Sequence, residues 1–303
     1  MRISDSILSA NYLATLNKNK EQVSELQTQI ATGSKINRPS DSPSGITRVL
    51  NLQDQAQTGE TYTKNVEDSQ AFMQTTTSVM EGMQNEIQNT LVLFTNANNP
   101  VNTPNYQAYA KQIDLTINTL MDLANSQFNG KYLFGGTDFS AKPYGLNGSR
   151  IEQNVASTSG QQKTRISKYM EQTVNIPGSD LFGTLPVASD PPGTHSDIFN
   201  TLLRVKNSLQ SGTVPSSSDV ALVQSFQDSL SNQLTTGGDI INRLSSTHDL
   251  LDSQQLELKE LLSKEKDVDV TKAVIDLQNR QYYLDLSYKM SAMVLPKSLL
   301  DYM

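Results

Sequence analysis

One helical pattern runs from Pro43 to about Asn98, and it constrains the fold of this chain more than any other feature. Within it, large apolar residues recur at every seventh position: Val66, Met73, Met80, Ile87 and Phe94. A seven-residue period kept over about four heptads predicts the seam of a coiled coil. Because a helix of that length extends about 80 Å at about 1.5 Å per residue, we expect a long helical rod.

Apolar residues spaced three and four apart predict further helices on both sides of the middle of the chain. We expect a helix over 106–128, a second over about 197–210 and a third over 220–234. Gly237-Gly238 predicts a break or kink before the next helix, since each glycine in a helix interior costs about 1 kcal/mol relative to alanine. The remaining predicted rod-core residues are Ile113, Ile117, Leu120, Leu244, Leu251 and Leu258.

Both ends of the chain carry amphipathic helices whose apolar stripes are narrow. Helices of about 25–30 residues with so few large apolar groups are marginal in isolation. Apart from each other, the two stripes have no evident partner inside the chain, so they predict a site that binds other subunits. The predicted assembly-interface residues are Ile3, Ile7, Leu13, Leu16, Val23, Leu26, Ile30, Val274, Leu277, Leu284, Tyr288, Leu299 and Leu300.

A polar break separates each terminal helix from the rod. The first is TGSKINRPSDSPSG at 32–45, in which Gly33 is a candidate C-cap and Ser42 with Pro43 is a candidate helix start. The second is SKEKDVDV at 263–270. Composition also changes at Asn129, and the Gly- and Pro-rich segment 130–194 contains short alternating runs that favour small strands.

These patterns predict a mainly α fold: a long antiparallel coiled-coil rod built from both chain termini, with a small β-rich inserted domain. The expected domains are a terminal helical segment of 1–42 with 266–303, a helical rod of 43–129 with 195–265, and a β-rich outer insertion of 130–194. An apolar content of 36% is low for one large round core, but it suffices for narrow stripes along helices.

Composition excludes several functional classes. The net charge of −7 argues against nucleic-acid binding, and the lack of cysteine excludes disulfides and thiolate metal sites. No apolar run approaches the roughly 20 residues that span a bilayer, and the N-terminal stretch does not resemble a cleaved secretion signal.

No group of residues predicts catalysis, a metal or a cofactor, so we expect a protein that is not an enzyme. His195 lies in a Pro/Gly loop, and His248 falls between Leu244 and Leu251, where a polar register-setting residue or a pH-sensitive contact is expected. Asp267 and Asp269 could ligate a metal, but acids near a helix start more often serve the helix dipole.

Five segments resemble the flagellin superfamily. They are MRIS with NYL at the start, the TGSKINRPSDSPSG break, FNGKYLFGGT at 128–137, NIPGSDLFG at 175–183, and the tail ending SLLDYM. PSDSPSG and PGSDLFG are more similar to the members at the junction of hook and filament than to flagellin itself. The tail MVLPKSLLDYM keeps a proline that is also seen in flagellin tails.

The resemblance implies a structural subunit that joins the flagellar hook to the filament. Its terminal helices would pair as the inner layer of a tube, and the chain would self-associate in a ring between another hook-associated protein and flagellin. It also implies secretion through the flagellar export apparatus, with a cytoplasmic chaperone on the C-terminal helix before export. Two alternatives stay open: flagellin itself, and a secreted coiled-coil binding module.

Overall fold

A computed structural model of the chain describes residues 2–99, 105–155, 158–183, 185–187 and 197–294, and it is mainly α. Its helices are α1 Arg2–Thr32, α2 Pro43–Ala97, α3 Tyr106–Ala124, α4 Gly178–Phe182, α5 Ile198–Gln210, α6 Ser217–Lys266 and α7 Val270–Val294. Its strands are β1 Gln127–Phe128, β2 Lys131–Tyr132, β3 Tyr144–Asn147, β4 Arg150–Gln153, β5 Lys163–Arg165 and β6 Glu171–Thr173. Long helices with small strand pairs confirm the predicted fold class.

Helix α2 is continuous over 55 residues, and its heptad positions form the seam of the core. Every predicted rod-core residue of α2 and α3 is buried, as are Leu244 and Leu251 of α6, whereas Leu258 is only half-buried. Burial of a complete apolar row on one side of a helix is the main source of its stability, at roughly 25 cal/mol for each Å² of apolar surface. The seam therefore explains why so polar a sequence folds.

Hydroxyl groups fill some of the positions between these apolar residues. Ser69, Thr76 and Thr90 are buried, and each donates to the backbone carbonyl four residues earlier, at 2.6, 2.8 and 2.9 Å respectively. A buried hydroxyl that keeps a hydrogen bond avoids the cost of desolvating an unpaired polar group. Backbone carbonyls of the helix itself thus satisfy the polar side chains in its seam.

Two helix predictions need correction, and the first concerns the end of α3. The apolar spacing predicted a helix over 106–128, but α3 ends at Ala124, and the backbone N–H of Asn125 bonds to carbonyls of the last turn. Phe128 lies in β1, where it pairs with Lys131, and its ring meets the Phe72 ring edge-on at 6.2 Å. An apolar residue at helical spacing therefore reaches the core from a strand.

The predicted break at Gly237-Gly238 is wrong, because α6 runs through both glycines without interruption. A Cβ atom at Gly237 would stand 2.6 Å from Cγ2 of Thr77 on α2, a distance that forces a shift, whereas Gly238 faces open space. Gly237 therefore serves a close approach between two helices, which outweighs its cost of about 1 kcal/mol in helix propensity.

The predicted β-rich segment forms three separate two-stranded antiparallel pairs, β1 with β2, β3 with β4, and β5 with β6. In the four-residue pair, Tyr144 lies opposite Gln153 and Asn147 lies opposite Arg150. The side-chain amide of Asn200 on α5 accepts from Ile151 N at 3.2 Å and donates to Ile151 O at 3.0 Å. These two hydrogen bonds fix β4 to α5.

Aromatic rings join the β segment to the helices. Phe182 is the centre: its ring centroid lies 5.1 Å from that of Tyr144, 5.6 Å from Phe134, 5.3 Å from Phe199 and 6.0 Å from Phe226. Aromatic pairs at such distances contribute about 0.5–1.5 kcal/mol each beyond the area that they bury. The segment therefore shares one core with α5 and α6.

The chain divides into two compact units, 1–58 with 254–303 and 59–253. We call them the terminal unit and the central unit. The boundaries fall inside α2 and α6 and not at the polar breaks, and the β segment belongs to the central unit with the helices that share its aromatic core. Among the described residues, no helix combines the length and apolar character needed to cross a membrane.

Candidate assembly interface

The two terminal helices pack against each other within the terminal unit. The hydroxyl of Tyr12 on α1 donates to the carbonyl of Ser287 on α7, and the ammonium of Lys20 lies 5.4 Å from the centroid of the Tyr288 ring. Polar and cation–π contacts of this kind contribute only about 0.5–1 kcal/mol each at exposed sites. These two contacts therefore add little to the stability of the pair.

Helix α7 carries two different apolar rows. The first contains Ala273, which is buried, with Leu277 and Leu284, which are half-buried. The second row is open to solvent: Ile275 is 53% exposed, Tyr282 67% and Leu286 45%. An exposed row of large apolar side chains on a helix is a typical binding surface for another chain.

A groove of about 430 Å³ lies between α1 and α7. Its lining is mostly polar, with Glu25 and Gln29 from α1 facing Asp276 and Arg280 from α7. Polar side chains of both helices therefore line this part of the pair.

The structure places the predicted interface residues in three groups. Leu16, Val23, Leu26, Ile30, Leu277 and Leu284 are half-buried, and Ile7, Leu13, Val274 and Tyr288 are exposed. The side chain of Ile3 and the residues Leu299 and Leu300 lie outside what the structure describes. Sequence reasoning missed the second row of Ile275, Tyr282 and Leu286, although its spacing of seven and four residues was visible.

The first polar break is an ordered turn. Gly33 ends α1 with φ +70°, a conformation that glycine adopts without steric cost. Asp41 Oδ2 accepts from the backbone N–H groups of Asn37 at 3.0 Å and Arg38 at 2.8 Å. Ser42 Oγ then accepts from Gly45 N at 3.1 Å and caps α2, as the sequence predicted.

The second break lies directly beside the first. Ser34 and Asp267 form an isolated antiparallel bridge, and Lys35 N donates to Lys266 O at 2.7 Å. At the far end of the break, Asp269 Oδ1 accepts from Lys272 N at 3.1 Å and caps α7. Near the joint, the Arg48 guanidinium on α2 forms an ion pair with the Glu265 carboxylate on α6 at 3.1 Å. The two breaks are therefore one hydrogen-bonded joint.

Asp269 and His248, two of the candidate site residues, have structural partners. Asp269 serves as a helix cap, and the described residues contain no cluster of three metal-ligating side chains. His248 is half-buried between two carboxylates, with Nε2 3.3 Å from Glu67 Oε1 and Nδ1 3.4 Å from Asp252 Oδ2. It joins α6 to α2 at a polar position beside the seam. His195 lies outside the described residues.

Comparison with known proteins first defines the class. Residues 3–138 match the family model of the bacterial flagellin N-terminal helical region, which spans α1, α2, α3 and the first strand pair. The resemblance to the flagellin superfamily that the sequence motifs indicated is thereby confirmed.

Within that superfamily, the likeness extends to hook-associated protein 3. The chain is 23% identical to flagellar hook-associated protein 3 of Salmonella typhimurium, over 95% of each chain. The fold is also that of a candidate flagellar hook-associated protein from Vibrio parahaemolyticus (TM-score 0.63, 13% identity, 75% of this chain and 100% of the other). FlgL of Bacillus cereus superimposes with a TM-score of 0.57 at 18% identity, covering 70% of this chain and 99% of the other.

Proposed function

We propose that this protein is a structural subunit of the bacterial flagellum that joins the hook to the filament and assembles through its N- and C-terminal helices. The observation that carries the proposal is the α1–α7 pair, which exposes a second apolar row of Ile275, Tyr282 and Leu286 on α7. The likeness to hook-associated protein 3 over nearly the whole chain supports the same role. The proposal involves no catalytic activity.

We assign the exposed row of Ile275, Tyr282 and Leu286 to contacts with neighbouring copies. A ring of identical subunits buries the same surface on every copy. Ordering a helix costs about 1–2 kcal/mol per residue in backbone entropy, and packing of such surfaces offsets that cost. In this proposal, residues 1–42 with 266–303 form the terminal segment whose packing is completed by neighbouring copies.

The remaining partners follow from the same role. One face of the ring contacts another hook-associated protein, and the opposite face contacts flagellin. Before secretion through the flagellar export apparatus, the C-terminal helix binds a cytoplasmic chaperone. An exposed apolar row on α7 would need such cover, because an uncovered row promotes aggregation.

The test replaces Tyr282 with aspartate in a strain that lacks the natural protein. Tyr282 is 67% exposed in the row assigned to neighbouring copies, and a carboxylate there opposes close packing of another chain against that row. We expect cells to lose nearly all attached filaments and to shed flagellin into the medium, while the purified variant keeps the thermal unfolding transition of the central unit. An unchanged filament count would refute the interface.

Gln281→Asp is the matched control, because it adds the same charge at an exposed polar position of α7. This variant should assemble normally. Immunogold labelling of flagella from the wild type separates the alternatives. Label confined to the hook tip supports the junction role, label along the filament identifies a flagellin, and absence from flagella indicates a secreted binding module.

A further inference from the structure

The local sequence does not require α6 to end where it does. Residues 263–270, SKEKDVDV, contain neither proline nor glycine, the residues that most often end a helix. The bond from Asp267 N to Ser263 O, at 2.8 Å, still has the spacing of an α-helix. A helix that continued would next join Val268 N to Lys264 O.

Both of those groups are instead bonded to the N-terminal linker. Val268 N donates to Gly33 O at 2.9 Å. Lys264 O accepts from the side-chain ammonium of Lys35 at 2.6 Å. In a continuous helix, Val268 N would donate to Lys264 O. Here the linker replaces both partners: Gly33 O accepts from Val268 N, and Lys35 Nζ donates to Lys264 O.

The next carbonyl that matters is Lys266 O, which would accept from Val270 N in a continuous helix. It accepts from Lys35 N at 2.7 Å, and Ser34 Oγ lies within hydrogen-bond distance of it at 3.2 Å. Ser34 is buried at this point. Carbonyls at a helix end need partners from outside the helix, and here the partners come from more than 200 residues away in sequence.

We propose that linker residues 33–35 divide what would otherwise be one helix running from Ser217 to Val294. When the linker leaves, Val268 N and Lys264 O become free for each other, and α6 and α7 join. The Asp269 cap is the local feature that favours the break. The linker thus acts as a switch by which the N-terminal segment sets the direction of the C-terminal helix.

This inference concerns bonds within one chain, so it stands whether or not the protein joins hook to filament. Its consequence is that α1 and α7 are positioned together. Release of the N-terminal segment changes the C-terminal helix as well, and neither terminal helix can take its place alone.

The test follows the backbone conformation of Val268 in the full-length protein. Lys35→Pro removes the backbone donor to Lys266 O and the side-chain donor to Lys264 O in one change. We expect the ¹³Cα chemical shift of Val268, observed with valine-selective labelling, to move from the non-helical range to the helical range. A shift that stays unchanged, or one that moves to the random-coil value, overturns the proposal.

Arg38→Pro is the matched control, since it adds a proline to the same polar break and removes the bond from Arg38 N to Asp41 Oδ2, which does not involve residues 33–35. Val268 should keep its wild-type shift in this variant. Ser34→Ala combined with Lys35→Met removes only side-chain donors and should move the shift part of the way.

A rescue variant separates helix fusion from loss of order. Val270→Pro places proline at the first position of α7, where it fits a helix start and prevents continuation from α6. In the combined variant Lys35→Pro with Val270→Pro, Val268 should return to the non-helical range. A helical shift in the combined variant would contradict the proposal.

Discussion

The central and terminal units use the same kind of helix in opposite ways. In the central unit, α2 turns a complete heptad row into a buried core, and aromatic rings join that core to the β segment. In the terminal unit, the described side chains of α1 and α7 bury little, and on α7 the exposed large apolar side chains outnumber the half-buried Leu277 and Leu284. The difference is the basis of our proposal that the central unit folds on its own, whereas neighbouring subunits complete the packing of the terminal pair.

The largest expected effect contrasts one core residue from each unit. Phe199→Ala should lower the free energy of unfolding by about 3–5 kcal/mol, because the ring is fully buried among other rings. Leu277→Ala in α7 should lower it by less than about 1 kcal/mol, since that side chain is only half-buried. Urea unfolding followed by far-UV circular dichroism measures both. Equal losses would remove the distinction between the units.

A second prediction concerns the close approach of α2 and α6. Gly237→Ala should destabilise the central unit by about 1–3 kcal/mol, because its Cβ would collide with Thr77. Gly238→Ala is the matched control and should stabilise by about 0.5–1 kcal/mol through helix propensity alone. Thr77→Ser removes the colliding methyl group and should restore much of the loss in Gly237→Ala. Two alanine variants with the same melting temperature would contradict the account.

The smallest expected effect is a pH dependence of the aromatic core. Burial raises the pKa of the Tyr144 phenol well above its usual range, and the nearby Thr158 hydroxyl offsets this only in part. Near pH 7, Tyr144→Phe should change stability by no more than about 1 kcal/mol. Above about pH 10, unfolded Tyr144 ionises but folded Tyr144 does not, so stability present below that pH is lost as the pH rises.

The Tyr144→Phe variant has no phenol to ionise, so it does not lose stability in this way. Its free energy of unfolding relative to that of the wild type should therefore rise above about pH 10, by up to about 1.4 kcal/mol per pH unit. Chemical unfolding at a series of pH values between 8 and about 11 gives the difference. Parallel curves for the two proteins would show that burial of this hydroxyl has no effect on its ionisation.

Periodicity predicted the parts of the fold that one helix decides for itself. Val66 to Phe94 repeat at seven-residue intervals and are buried, and Ser42 caps α2. Structural features that depend on a residue far away in the sequence could not be predicted from periodicity. Gly237 was expected to interrupt α6 because its partner, Thr77, lies far away in sequence, and Phe128 was assigned to a helix because strands this short have no period.

The candidate interface shows the same limit. The sequence indicated apolar stripes on both terminal helices, but it could not say which row of α7 would stay exposed, because that depends on where α1 lies. The joint between the two breaks was also hidden, since Gly33 and Val268 meet through backbone groups that carry no sequence signal.

Hydrogen exchange of the purified full-length protein tests the contrast between the units most directly. The backbone bonds of a helix exchange slowly when buried packing holds them and quickly when local opening is easy. We predict strong protection across the buried segments of α2, α3, α5 and α6 in the central unit. The amides of α1 and α7 should exchange at least about 100-fold faster, corresponding to a difference of about 2.7 kcal/mol in opening free energy. Equal protection of α1, α7 and the central helices would contradict the claim that the terminal pair needs neighbouring subunits.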